Sequence, residues 1–81
     1  MANNDKTVVI GKRQILRELK NKNVREIRIA SDAETQYIHS LIEAAKENSV
    51  KYVINGSMAD ISSEYGIDVP SGAVGLLVKS V

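Results

Sequence analysis

The 81-residue chain has no cysteine, tryptophan or phenylalanine, and only one histidine and one proline. Without cysteine there is no disulfide, no thiolate metal site and no cysteine nucleophile. Without Phe or Trp, and with the three tyrosines scattered, a core has to be assembled from Val, Ile, Leu and Ala. No apolar run is long enough to cross a bilayer, and Met1–Lys6 lacks the apolar stretch of a secretory signal, so a cytoplasmic protein with no membrane partner is expected. His39 has no other ligand at metal-binding spacing and reads as a surface histidine. Glu43 and Glu47 share a helical face as solvated carboxylates, and Ser62, Ser63 and Ser71 lack a Ser/His/Asp arrangement. Gly72-Ala73-Val74-Gly75 is not followed by the Lys-Ser/Thr pair of a phosphate loop. These absences predict a protein that is not an enzyme and needs no metal or cofactor.

What is present is ordinary in amount and uneven in distribution. Hydrophobic residues make up 43% and charged residues 26%, the composition of one globular domain. A polar tail is expected over residues 1–6, with a single domain over residues 7–81. The formal net charge is +1, yet residues 1–28 carry eight Lys or Arg against three acids, a net of +5. Residues 29–81 carry three Lys against seven acids, a net of −4. Such asymmetry predicts one basic face on an otherwise acidic body.

The basic segment opens at Val8-Val9-Ile10-Gly11-Lys12-Arg13-Gln14-Ile15-Leu16-Arg17, where a β-branched run breaks at glycine and passes directly into a helix. A helix start offers unpaired N–H groups and the positive end of its dipole, which suit phosphate oxygens. Lys12 and Arg13 add cations, and Gln14 adds an amide that both donates and accepts. Arg13, Arg17 and Lys20 recur at helical spacing on the face away from Ile15, Leu16 and Leu19, forming a nucleic-acid surface or a solvated helix face. Gly11 serves either the strand-to-helix turn or a close backbone approach.

Periodicity predicts a strand over Thr7–Ile10, a helix over Lys12–Lys22 ending in a left-handed turn at the Asn21/Asn23 pair, and a strand over Glu26–Ala30. Ser31 and Glu34 fit a capping box for a second helix that buries Tyr37, Ile38, Leu41, Ile42 and Ala45. A strand over Lys51–Ile54 follows. Then comes a helix capped by Ser57 and Asp60, with Met58, Ile61 and Tyr65 inward and Gly66 at its end. An apolar strand over Ala73–Val78 closes the chain and should be central. Strands alternating with helices predict an α/β fold, a three-layer α-β-α sandwich on a small mixed four-stranded sheet.

The ordered blocks Gly11-Lys12-Arg13-Gln14-x-x-Arg17, Ile29-Ala30-Ser31-Asp32-Ala33, Ser57-Met58, Tyr65-Gly66-Ile67 and Ala73-Val74-Gly75-Leu76 resemble the kink-turn-binding ribosomal-protein superfamily. The likeness is greatest to its short bacterial ribosomal-protein-like members, and it spans about residues 7–79. It implies a sandwich, monomeric in the absence of RNA, that docks the first helix's start on sharply bent structured RNA, ribosomal RNA included. Carried over by position, Gly11 matches the family's helix-start glycine and Gln14 stands where the family reads tandem sheared G·A pairs. Arg17 stands for a phosphate-contacting lysine, and Arg13 replaces the commoner Asn, adding charge but losing paired amide functions. Lys12 and Lys20 extend the same surface. The resemblance also implies that Ile67, Asp68, Val69 and Pro70 form a second RNA-facing loop that covers an extruded base. The family's Ser-Lys at the third helix appears as Ser57-Met58. Its Gly and Ala within that helix appear as Ser62 and Glu64, and Asp60, Glu64 and Asp68 make this end acidic. That acidity supports an alternative, the same fold serving as a protein-interaction module.

Overall fold

The computed structural model describes residues 8–66 and 71–78. Their elements run β1 (Val8–Ile10), α1 (Lys12–Lys20), β2 (Val24–Ile29), α2 (Thr35–Glu47), β3 (Lys51–Ile54), α3 (Met58–Tyr65) and β4 (Ala73–Leu77). The sheet order is β1-β4-β2-β3. β4 is central, antiparallel to both β1 and β2, while β2 and β3 run parallel. The expected four-stranded mixed sheet and the central placement of the last strand are both found.

Alternation along the strands decides which residues meet which layer. On one face Ile27, Ile29 and Ala73 pack with Ile15 and Leu19 of α1 and Leu41 and Ala45 of α2. On the other face Ala30 and Val74 pack against Ile61, with Met58 and Tyr65 alongside. Two helices therefore cover one face and α3 covers the other, which gives the three layers. Gly75 lies under α1, where an added Cβ would stand 3.0 Å from Ile15 Cγ1 and 3.3 Å from Val9 Cγ2. A bare backbone there allows α1 close approach to the sheet.

Several boundaries differ from the sequence expectation. Helix α1 stops at Lys20 rather than Lys22, and its left-handed residue is Lys22 (φ 58°), not an asparagine. The Lys22 N–H donates to Leu19 O at 3.0 Å and the Asn23 N–H to Glu18 O at 3.0 Å, the paired bonds of a Schellman closure. That bond pattern places Lys22 between the two asparagines at the position that must turn left-handed. Strand β2 begins at Val24 rather than Glu26, with a register irregularity between Val24 and Glu26, and β4 ends at Leu77 rather than Val78.

The Ser31–Glu34 capping box does not form. Helix α2 starts at Thr35 after Glu34, and its cap makes no side-chain bond. The reason is tertiary: Ser31 N–H and Oγ–H both donate to Gly56 O, at 2.8 and 2.7 Å, which fastens the end of β2 to the β3–α3 turn. The Ser57–Asp60 box forms as the sequence predicts, with Asp60 N–H donating to Ser57 Oγ at 3.1 Å and Ser57 N–H to Asp60 Oδ2 at 3.0 Å. Gly66 ends α3 in the left-handed conformation, also as predicted.

Candidate nucleic-acid interface

Strand direction gathers distant segments at one edge. The C-terminal ends of β1, β2 and β3 lie there together with the N-terminal end of β4. Gly11 N–H donates to Ala73 O at 3.0 Å, Ala30 N–H to Gly72 O at 2.8 Å, and Asn55 N–H to Ile29 O at 3.1 Å. Both α1 and α3 start at this edge.

At the start of α1, Gly11 occupies the cap with φ 92° and ψ 153°, a backbone conformation that L side chains rarely adopt, and it supplies no side-chain cap. An added Cβ would have nothing within 4 Å, so glycine is required here by conformation rather than by crowding. A helix start leaves four N–H groups without intrahelical partners. Here Gly11 N–H is taken by Ala73 O, and Lys12 N–H donates to Tyr37 Oη at 3.1 Å. The N–H groups of Arg13 and Gln14 find no acceptor among the described residues, and the helical ladder begins with Ile15 N–H to Gly11 O at 3.0 Å. The side chains of Arg13, Gln14, Arg17 and Lys20 are exposed, while Ile15 and Leu19 are buried. The sequence-predicted basic stripe therefore exists, and it leads away from the two open N–H groups along α1. Lys12 is half-buried, with Nζ 5.7 Å from the centre of the Tyr37 ring.

Helix α3 starts differently. Ser57 N–H and Asp60 N–H are satisfied within the capping box, and Met58 N–H donates to Asp32 Oδ1 at 2.9 Å. Two carboxylates thus occupy this helix start, leaving it unsuited to an anion. Met58 brings no cation. Farther along, Glu64 sits 3.4 Å from Arg28 Nη1, and Glu26 lies 3.8 Å from Arg28 Nε. Asp32 and Asp60 are thus drawn into helix capping and Glu26 and Glu64 into a surface ion-pair cluster, while exposed Glu34 makes no side-chain cap bond to α2.

At the start of α2, beside the start of α3, lies a shallow apolar depression of about 140 Å³ lined by Ala33, Glu34, Tyr37, Met58 and Gly72. Tyr37, expected only as part of a buried stripe, is half-buried and turns its hydroxyl toward α1. Burial pushes the Tyr37 hydroxyl above the usual tyrosine range, and the Lys12 N–H bond offsets part of that rise. No local pattern signals this role, because the two partners stand 25 residues apart. The Ile67–Pro70 loop, assigned by resemblance to the same edge, lies outside the described residues.

Among the described residues no group of three or more His, Cys, Asp or Glu is placed to hold a metal ion. His39 is exposed beside Glu43, at 3.8 Å. Within the same residues no helix is long and apolar enough to cross a membrane.

Comparison with known proteins agrees with this architecture. An RNA-binding protein of Bacillus pumilus is 31% identical over 72 residues, 89% of this chain and 88% of that one. An RNA-binding protein of Caldanaerobacter subterraneus subsp. tengcongensis is 34% identical over 61 residues, 75% of this chain and 74% of that one. In structure, the Giardia lamblia 15.5kD RNA binding protein superposes with a TM-score of 0.84 at 20% identity, covering 91% of this chain. The present chain spans only 62% of that longer protein, so the likeness speaks to fold. The family described as ribosomal protein L7Ae/L30e/S12e/Gadd45 matches residues 1–80, and the chain belongs to it.

Proposed function

We propose that the protein is a non-enzymatic RNA-binding module that recognises kink-turn-like structured RNA at the edge formed around the start of α1. The observation that carries this reading is the open first turn of α1. Its Arg13 and Gln14 N–H groups lack acceptors among the described residues, beside exposed Arg13 and Gln14 side chains. The N–H groups and the dipole favour a phosphate at that turn. Lys12, Arg13 and Arg17 hold the RNA backbone, Lys20 extends the same surface, Gly11 leaves the approach open, and Gln14 meets the base edges of the G·A pairs. Ile67, Asp68, Val69 and Pro70 cover an extruded base. Relatives named as RNA-binding proteins, matched over most of their length, support the general function. The natural partner is structured RNA, of which ribosomal RNA is one candidate class, and the protein acts in the cytoplasm as a monomer until RNA is bound.

The same fold acting as a protein-interaction module is the second reading. It is favoured by the start of α3, which Asp32 and Asp60 close to anions. Titration with a consensus kink-turn RNA beside a straight duplex of equal length separates the two. RNA recognition requires a clear preference for the kinked RNA. With about three cations on phosphates, it also requires log affinity to fall against log salt with a slope of roughly −2 to −3. Equal weak binding to both RNAs and a flat salt response would leave the interaction module as the better account.

A further inference from the structure

The first turn of α1 has no cap of its own. Gly11 contributes no side chain, and the next N–H, that of Lys12, is satisfied by a residue of another helix, through Tyr37 Oη at 3.1 Å. The tyrosine ring is itself in close contact with Gly72. A Cβ on Gly72 would stand 2.7 Å from Tyr37 Cε1 and 3.0 Å from Cζ, so the ring rests directly on glycine backbone. That backbone is in turn fixed to the sheet, because Gly72 O accepts from Ala30 N–H at 2.8 Å. Lys12 closes the arrangement with its ammonium 5.7 Å from the ring centre. A chain of contacts therefore runs from the sheet edge through Gly72 and Tyr37 to the first N–H of α1.

We infer that Tyr37 is a positioning residue for the RNA-binding edge, its hydroxyl standing in for an N-cap side chain. In that role it holds the first turn of α1 so that the Arg13 and Gln14 N–H groups face the ligand. The inference rests on the reading proposed above and adds to it a residue from α2 that need not touch RNA. The physical need is plain. A helix of nine residues that starts after glycine frays at its first turn unless its donors are held. Filling the cap with a side chain on residue 11 is barred by φ 92°, so capping from a neighbouring helix leaves the surface above Gly11 bare. Tyr37 also consumes the Lys12 N–H and not the next two, which reserves those two for an incoming anion.

Tyr37→Phe in the full chain tests this, since it removes the hydroxyl and keeps the ring. Three quantities are compared with the unaltered protein: affinity for a consensus kink-turn RNA and for a straight duplex, amide hydrogen exchange at Lys12, Ile15 and Leu41, and the melting temperature. The inference expects kink-turn affinity to fall about fivefold, the effect of losing one cap of ~1 kcal/mol. It expects duplex affinity to hold, the hydrogen-bonded Lys12 and Ile15 amides of the first turn to exchange several-fold faster, and Leu41 exchange to stay unchanged. Gly72→Ala, which displaces the ring, should move RNA affinity and exchange in the same direction. Unchanged kink-turn affinity with faster exchange would overturn the inference, reducing Tyr37 to a structural cap. Tighter binding would overturn it the other way, by showing that the hydroxyl masks a donor the RNA uses. An equal loss for both RNAs would mark general weakening and also overturn it. Failure of the underlying reading shows separately, as an unaltered protein that binds kinked and straight RNA alike.

Discussion

Lys22→Gly and Asn21→Gly, neighbouring substitutions at the end of α1, should have opposite effects on stability. Lys22 closes the helix at φ 58°, whereas Asn21 caps it at φ −88° and ψ 2°. A Cβ in the left-handed region costs about 1–2 kcal/mol, and glycine loses about 0.5–1 kcal/mol more backbone entropy on folding than alanine. At position 22 the first quantity exceeds the second, so Lys22→Gly should stabilise by about 0.5–1 kcal/mol. At position 21 only the second applies, so Asn21→Gly should destabilise by about 0.5–1 kcal/mol. The same logic at Ser49, left-handed at φ 56° after α2, predicts a gain of similar size for Ser49→Gly. Urea denaturation gives the two signs directly, and for a chain this small ~1 kcal/mol moves the melting temperature by about 4–8 °C. Lys22 and Ser49 line a cleft of about 300 Å³ with Glu47, Asn48 and Val50, away from the start of α1, so RNA affinity should survive both changes. Loss of stability in Lys22→Gly, or a gain in Asn21→Gly, would show that the left-handed position has been misplaced.

Gln14→Ala and Arg17→Ala should weaken RNA binding in different ways. The first should cost about 1–3 kcal/mol and fall mainly on kink-turn RNA, and the second should weaken kinked and straight RNA alike and make the salt slope shallower by about one unit. Both side chains are exposed, so melting curves should stay within about 0.5 kcal/mol of the parent, and equal loss of both RNAs in Gln14→Ala would refute its base-reading role. In the core, Leu41→Ala should cost about 2–5 kcal/mol, because Leu41 is fully buried against α1 and the sheet, while exposed Glu43→Ala should stay within about 0.5 kcal/mol; equal losses in denaturation would mean the helix is rotated.

How much of this was legible in the sequence depended on how local each determinant is. The β-branched runs and the apolar spacing of Ile15, Leu19, Leu41 and Ala45 locate the elements, because burial of one face is written in the period itself. Ser57 and Asp60 locate the start of α3 because the whole capping box lies within four residues. Ser31 and Glu34 present a similar local pattern and fail, since Gly56 O, 25 residues away, takes both donors of Ser31. Asn21 and Asn23 are the better left-handed residues by propensity, yet the closing bonds to Glu18 O and Leu19 O fix the turn on Lys22. In each miss a nonlocal or geometric bond outweighed a preference of less than a few kcal/mol. At the candidate interface the exposed set of Arg13, Gln14, Arg17 and Lys20 was readable from helical spacing. Tyr37 was not, because its hydroxyl meets an N–H of another helix.

The starts of α1 and α3, at the same edge, differ in how their backbone donors are satisfied. Both lie at the same end of the sheet, and both carry the positive end of a helix dipole. In α3 the dipole is neutralised from within, by Asp60 on Ser57 N–H and Asp32 on Met58 N–H. In α1 the internal acceptors are a peptide carbonyl, Ala73 O, and a neutral hydroxyl, Tyr37 Oη, neither of which adds negative charge. The dipole of α1 is therefore not offset by its own capping groups, and Lys12, Arg13 and Arg17 add to it, in a segment that carries most of the chain's positive charge. A net charge of +1 conceals this, because four of the ten acids are engaged away from α1: Asp32 and Asp60 close α3, and Glu26 and Glu64 flank Arg28. The location of each acid, more than the sum, governs where a polyanion finds its lowest energy. Replacing Asp32 by Asn keeps an acceptor for Met58 N–H while removing one of the charges that close α3. This change should strengthen RNA binding modestly and steepen its salt dependence if the RNA passes near α3. If the RNA tracks α1 alone, it should leave the kink-turn affinity within about twofold.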